Sequence, residues 1–213
     1  MQPEEKDKRG QIIAAAIKRF SHFGIHKTTI TEIAEDVAMS RQAFLYYFHD
    51  KNALIKAVVE QMMEEYMALT EENFRKAPTA EAGIYTLLST KEEFFKKYYL
   101  LAIQGDQVAL LHSEELKRLI YLGQKKHIAL LSQLLQQGVE AQEFCPLDTT
   151  RNARLILEIL SAFEHSIRHK CGLPEPDDFK NLFDRQKEVL HMLVAGLKYR
   201  STPQPFSPHL TNK

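Results

Sequence analysis

The sequence predicts an all-α protein in two parts, three short helices followed by a larger helical body. Three observations predict it. Apolar residues recur at helical spacing through most of the 213 residues, and no stretch alternates as a strand would. Within residues 10–50, cap and stop residues crowd together and leave room only for short helices. Beyond residue 50 the breaks stand far apart, at Pro78, Gly105, the cap residue Ser113, "CPLD" (145–148) and "CGLPEPDD" (171–178).

Taken in order, "QIIAAAIKRF" sets Ile12, Ile13, Ala16, Ile17 and Phe20 on one face, and Gly24 ends that helix. "TTITEIAEDV" opens a second helix with a capping box, Thr29 with Glu32 three residues on, and an apolar face of Ile30, Ile33, Ala34 and Val37. "AMS" makes a tight turn, and Ser40 is a good N-cap for a third helix. Asp50 caps a fourth that starts at Lys51. The body reads as helices at 51–75, 80–102, 104–111, 113–142, 148–171 and 176–199. The division expected is 1–50, 51–200 and a tail, 201–213, which has three prolines and little apolar pattern and is expected to be flexible.

Formal net charge is zero, and residues 1–55 carry 8 Lys and Arg against 7 Asp and Glu. A nucleic-acid surface must therefore come from the placement of charge, because there is no surplus. Two cysteines make no disulfide framework, and the charged start "MQPEEKDKRG" has no apolar signal core. No apolar run approaches the roughly 18 residues of a membrane span. A reducing, cytoplasmic setting is expected, with no membrane association.

The second and third helices with their short turn have the layout of a helix-turn-helix, whose second helix enters the major groove. Within "MSRQAFLYYFHDK" (39–51), four aromatics fall in five positions. At about 100° per residue, Phe44 and Phe48 point the same way. Gln42, Ala43 and Tyr46 form the opposite face, and Leu45 and Tyr47 lie on the flanks. Gln42 can read an adenine edge through two hydrogen bonds, and Arg41 can read guanine or hold a phosphate. Tyr47 and Lys51 can donate to phosphates. Thr28 and Thr29, at the exposed N–H groups of the second helix and preceded by His26 and Lys27, form a further phosphate clamp.

"IIAAAIKRFSHFGIHKTTITEIAEDVAMSRQAFLYYFHDKNALI" resembles the DNA-binding region of the tetracycline-repressor (TetR) family. The features that match are Ala16, Phe20 and Gly24 at the end of the first helix, Thr28 to Ala34 in the second, and Tyr46, Phe48 and Lys51. The likeness covers about a quarter of the chain. It departs at two positions. The family has Gly where this chain has Ala38, which is strained there if φ is positive. It also has a phosphate-contacting Tyr where this chain has Leu45. The resemblance implies that Lys27, Thr28, Thr29, Ser40, Arg41, Gln42, Ala43, Tyr46, Tyr47 and Lys51 face DNA. It also implies that the body is a ligand-binding and dimerisation domain.

Features of the body fit that implication. The helices at 148–171 and 176–199 carry broad apolar faces and are expected to pair with their twofold mates in a homodimer. Met62, Met63, Tyr66, Phe94, Phe95, Tyr98 and Tyr99, with polar His112 and His165, form a candidate pocket for a largely apolar small molecule, although such stripes usually mean packing. His165 and His169 at i, i+4 with Cys171 have a spacing that can hold zinc. Ordinary histidines fit the same spacing, so neither a metal nor any cofactor is expected. No phosphate loop, G-x-S-x-G or H-E-x-x-H appears, and an enzyme is not expected. The expected function is a transcriptional regulator that binds a double-stranded DNA operator, a repressor released by a small-molecule effector. The alternatives are a helical protein-interaction module and, further off, a small-molecule-binding enzyme or carrier.

Overall fold

A computed structural model describes residues 3–98, 114–168 and 176–198. Its order is α1 (Pro3–Phe23), α2 (Ile30–Asp36), α3 (Arg41–Tyr47), α4 (Lys51–Lys76), α5 (Ala80–Lys97), α6 (Glu114–Glu140), α7 (Thr149–Arg168) and α8 (Pro176–Leu197). The described residues are helical apart from turns and one isolated bridge between Phe144 and Lys198. The chain is all-α. The helix expected at 104–111 and the tail 201–213 lie outside the described residues.

Local chemistry sets the short N-terminal helices. Gly24, at φ 83°, takes the left-handed turn that ends α1. At Thr29 the full capping box forms. Ser40 Oγ accepts from Ala43 N–H at 3.1 Å to start α3, and Asp50 Oδ1 accepts from Ala53 N–H at 2.7 Å to start α4. Between α2 and α3, Ala38 N–H donates to Glu35 O (3.0 Å) and Met39 N–H to Ala34 O (2.8 Å). That pairing is a Schellman turn with Ala38 at its left-handed position, and Ala38 sits there at φ 51°.

One element exceeds its expected bounds. α1 begins at Pro3, more than a turn before its apolar stripe. The added turns carry charge and not apolar periodicity. They are held by Gln11 Nε2 donating to Asp7 Oδ2 (2.9 Å), by Lys8 reaching Val37 O (3.5 Å), and by Arg9 lying over the Phe48 ring (5.0 Å).

Two large clusters make the core. The first joins Ile12, Ala16 and Phe20 of α1, Ile33 of α2 and Phe44 of α3 to Leu54, Ile55 and Val58 of α4, and extends to Tyr98. The second packs Ile84 and Leu87 of α5 on Leu131 and Leu135 of α6, Ile156 and Leu160 of α7, and Leu190 and Val194 of α8. Packing is therefore continuous across the boundary expected at residue 50: the first half of α4 belongs to the N-terminal cluster. After α6 a second Schellman turn, with Gln142 at φ 59°, lets the Glu143 carboxylate accept from the N–H groups of Ala80 (3.1 Å) and Glu81 (3.0 Å) at the start of α5.

Candidate nucleic-acid interface

The third helix divides as its periodicity requires. Phe44 and Phe48 are buried, with ring centroids 6.0 Å apart, and fix α3 to the core. Arg41, Gln42 and Ala43 are exposed, and Tyr46 is 72 % exposed. Ser40 and Lys27 are exposed as well. Tyr47 is half-buried on the flank, packed against the core and edge-on to Tyr46 at 5.3 Å. Leu45 lies on the other flank, 37 % exposed. The outward face of α3 thus offers a guanidinium, a carboxamide, a methyl and a phenol. These groups can hydrogen-bond to base edges, stack, or contact a thymine methyl.

The two threonines require a correction. The sequence suggests that they clamp a phosphate, but their donors are already engaged. Thr28 is 2 % exposed, and its hydroxyl donates to Gly24 O at 2.9 Å while its N–H bonds to Ile25 O at 3.4 Å. A phosphate oxygen needs donors, and Thr28 has none left to give. Thr29 is exposed, but its N–H and its hydroxyl both donate to Glu32 Oε2 at 2.7 Å. Both donors of Thr29 are thus held by the Glu32 carboxylate. Those two bonds from Thr29, helped by the charge of Arg19 at 3.2 Å, hold the Glu32 carboxyl below the usual carboxylate range.

Lys51 also has a use that its sequence position does not suggest. Its ammonium donates to Ile25 O at 2.5 Å, across the corner between α1 and α2. Burial lowers its pKa, with the Glu32 charge acting the other way. An ammonium has three donors, so two remain for another partner. Behind the interface, Arg19 grips Asp36 through Nε (2.5 Å) and Nη2 (2.8 Å) and ties α1 to α2. Nothing in the local sequence pattern marks the pairs Lys51–Ile25 or Arg19–Asp36, because each joins residues far apart in the chain.

The candidate pocket residues separate into two groups. Tyr66 stands edge-on to Phe94 (5.3 Å), and Phe94 packs on Tyr98 (4.5 Å), with Met62 against the same cluster. The Tyr98 hydroxyl donates to Glu65 Oε2 at 2.6 Å. Phe95 turns the other way, toward Phe179 at 4.2 Å and Phe183 at 6.1 Å on α8. Met63 lies against α6 at Gly123. A residue without a sequence signal joins the first group: His127 of α6, edge-on to Tyr66 at 5.5 Å. Tyr99, His112, His169 and Cys171 lie outside the described residues, as does the His165 side chain. Among the described residues no three His, Cys, Asp or Glu side chains gather as a metal site, and no helix is long and apolar enough to cross a membrane.

Comparison with known proteins agrees with this layout. Residues 12–58 match the model of "Bacterial regulatory proteins, tetR family", a segment that crosses into α4 as the first core cluster does. The HTH-type transcriptional regulator RutR of Escherichia coli (strain K12) is 35 % identical over 91 residues, 43 % of this chain. That match spans 42 % of the relative's own length. A transcriptional regulator from Cytophaga hutchinsonii ATCC 33406 superposes with a TM-score of 0.81 at 23 % identity, covering 88 % of this chain and 97 % of that one. The transcriptional regulator FadR from Bacillus subtilis, in complex with stearoyl-CoA, superposes with a TM-score of 0.62 at 20 % identity, covering 88 % and 98 %. These two likenesses extend the shared fold through the helical body. The helix-turn-helix segment is thus similar to the tetR family of bacterial regulatory proteins, and the body shares the fold of the solved regulators.

Proposed function

We propose that the chain is a sequence-specific DNA-binding transcriptional regulator, a repressor that leaves its operator when a small molecule binds the helical body. The observation that carries this reading is the outward face of α3, where Arg41, Gln42, Ala43 and Tyr46 are exposed on a helix pinned by Phe44 and Phe48. Gln42 and Arg41 read base edges, and Tyr46 and Ala43 make apolar contacts beside them. Lys27, Ser40, Tyr47 and the remaining donors of Lys51 hold phosphates. Thr29 joins them only if Glu32 gives way. Residues up to about 50 form the reading head, and the body from Lys51 carries ligand binding and dimerisation.

Because a helix-turn-helix reads half-sites about 34 Å apart, the protein acts as a homodimer in the cytoplasm. The faces of α7 and α8 that carry the exposed Leu155 and Met192 meet their twofold mates. The effector has a large apolar part. Support comes from the aromatic and Met groups of α4 and α5, and from the acyl-CoA held by the FadR structure of the same fold. A randomised-pool DNA selection with purified protein tests this proposal. A palindromic site is expected, and Gln42→Ala or Tyr46→Ala should lose discrimination without losing the fold. Recovery of no preferred sequence would sink it.

A further inference from the structure

Among the described residues, three buried side-chain atoms have no hydrogen-bond partner: Ser21 Oγ, Gln186 Oε1 and His127 Nε2. Gln186 is anchored through its other end, where Nε2 donates to Leu160 O at 2.6 Å. Three helices converge on His127. Its ring is edge-on to Tyr66 of α4 at 5.5 Å, and Tyr66 is edge-on to Phe94 of α5 at 5.3 Å. Lys91 of α5 is near enough for its charge to act on the imidazole. Burial first, then that charge, push the His127 pKa down to about 4, so the ring is neutral at pH 7.

Gly123 lies one turn before His127 on the same side of α6. A Cβ at Gly123 would stand 2.0 Å from Met63 Cε. The tip of Met63 therefore lies along the α6 backbone one turn from His127, in space that any other residue at 123 would fill. A methionine end is unbranched and polarizable, the core group most readily moved aside. An orphaned polar atom, a cation and a movable apolar plug thus meet in an aromatic setting.

We propose that the region between α4, α5 and α6 at His127 binds amphiphilic carboxylates. The carboxylate accepts the Nε2–H of His127 within the field of Lys91. The apolar body displaces the Met63 tip and lies along Tyr66 and Phe94. The sign of the head group follows from Lys91: an ammonium head would be repelled, and an alcohol would gain nothing from the charge. Accepting from Nε2 requires the tautomer that carries its proton there. This site rests on the reading of the chain as an effector-controlled regulator and names the effector class.

The test is calorimetric titration of the full chain with octanoate, dodecanoate and palmitate, each below its micelle concentration and each against the alcohol of the same length. At least one carboxylate should bind about tenfold tighter than its alcohol. His127→Phe keeps a ring of similar size and should lose roughly tenfold or more, because the hydrogen bond goes with the ring nitrogens. His127→Gln keeps an N–H donor and should retain most of the affinity. Lys91→Met should erase the preference for carboxylate over alcohol, and Gly123→Ala should weaken every member by driving Met63 into the site. Should His127→Phe fail to fold, Lys91→Met and His127→Gln carry the test. Equal binding of each carboxylate and its alcohol, or wild-type affinity in both His127→Phe and Lys91→Met, overturns the site. If a preferred DNA sequence is recovered but no carboxylate binds, only this site falls. If carboxylates bind as stated but no DNA is selected, the site stands and the regulatory reading falls.

Discussion

Replacing Lys51 by Met keeps the aliphatic stem and removes the ammonium, and it separates two contributions of that residue. In the free protein the ammonium donates to Ile25 O at 2.5 Å and fastens the α1–α2 corner to the start of α4. A hydrogen bond to a charged group contributes about 1.5–3 kcal/mol. The neutral variant avoids the cost of partly desolvating an ammonium, the same burial that lowers the Lys51 pKa. Ile25 O also keeps a long bond from Thr28 N–H at 3.4 Å. The net loss should be about 1–2 kcal/mol. For a chain of this size each kcal/mol moves Tm by about 2–4 °C, so the melt should fall by about 2–8 °C. Thermal denaturation followed by circular dichroism without DNA measures it. The drop should persist at high salt, because a short contact with a carbonyl is screened far less than a pair of exposed charges. If the remaining donors of Lys51 hold a phosphate, the slope of log affinity against log salt should also shrink by about 0.9 per half-site. An unchanged melt beside a reduced salt slope would refute the corner contact and leave Lys51 with a phosphate role alone.

Three further outcomes follow from the geometry. Ala38 at φ 51° is exposed, so Ala38→Gly should relieve about 1–2 kcal/mol of left-handed strain against about 0.4–1 of added chain entropy. Urea titration should show a net gain of up to about 1.6 kcal/mol, and a loss would mean the turn is unstrained. At Gly138 a new Cβ would lie 2.3 Å from the Phe144 ring and 2.8 Å from Ala80 Cβ, so Gly138→Ala should destabilise by about 1–3 kcal/mol in the same assay. The bond from Arg19 holds the Asp36 carboxyl below its ordinary 3.8. Its stabilising effect is therefore present above that value and lost as pH falls through the lower folded value. Asp36→Asn should flatten the acid limb of stability below about pH 4, and parallel acid limbs in variant and parent would assign the pair no role.

The parts of this molecule that the sequence makes legible are those determined within a turn or two of chain. Thr29 with Glu32, Ser40 and Asp50 cap helices through their own neighbours, so side-chain chemistry and spacing suffice. The inward pair Phe44 and Phe48 follows from helical geometry alone. What escaped is long-range. The first turns of α1 show no apolar period because they are held by Lys8 on Val37 O and Arg9 over Phe48, contacts made only after folding. Thr28 looks like a phosphate ligand until the turn at Gly24 buries it. The aromatic stripe of α5 looks like one lining, yet Phe94 and Phe95 are consecutive and must point to different neighbours. His127 stands in an ordinary amphipathic stretch, and only the convergence of Tyr66 and Lys91 distinguishes it.

One helix connects the two proposed sites, and that connection has a thermodynamic consequence. α4 runs unbroken over 26 residues, from Lys51 at the Ile25 corner to Tyr66 beside His127 and on to Lys76. Lys51 and Tyr66 are about 22 Å apart along its axis. A helix without Pro or Gly between them has no kink site there to absorb a shift made at one end. On the proposed site, a ligand that displaces Met63 beside Tyr66 acts on the helix whose other end packs on α1 and is capped by Asp50. Such a link releases an operator only if the ligand prefers one arrangement of α4, and the preference must then be reciprocal. A carboxylate that weakens operator binding tenfold must itself bind tenfold more weakly to the operator complex, a coupling of about 1.4 kcal/mol. Titrating the best-bound carboxylate into free protein and into protein saturated with operator measures both sides of that cycle. Equal ligand affinity in the two titrations would mean that α4 connects the sites in space without coupling them.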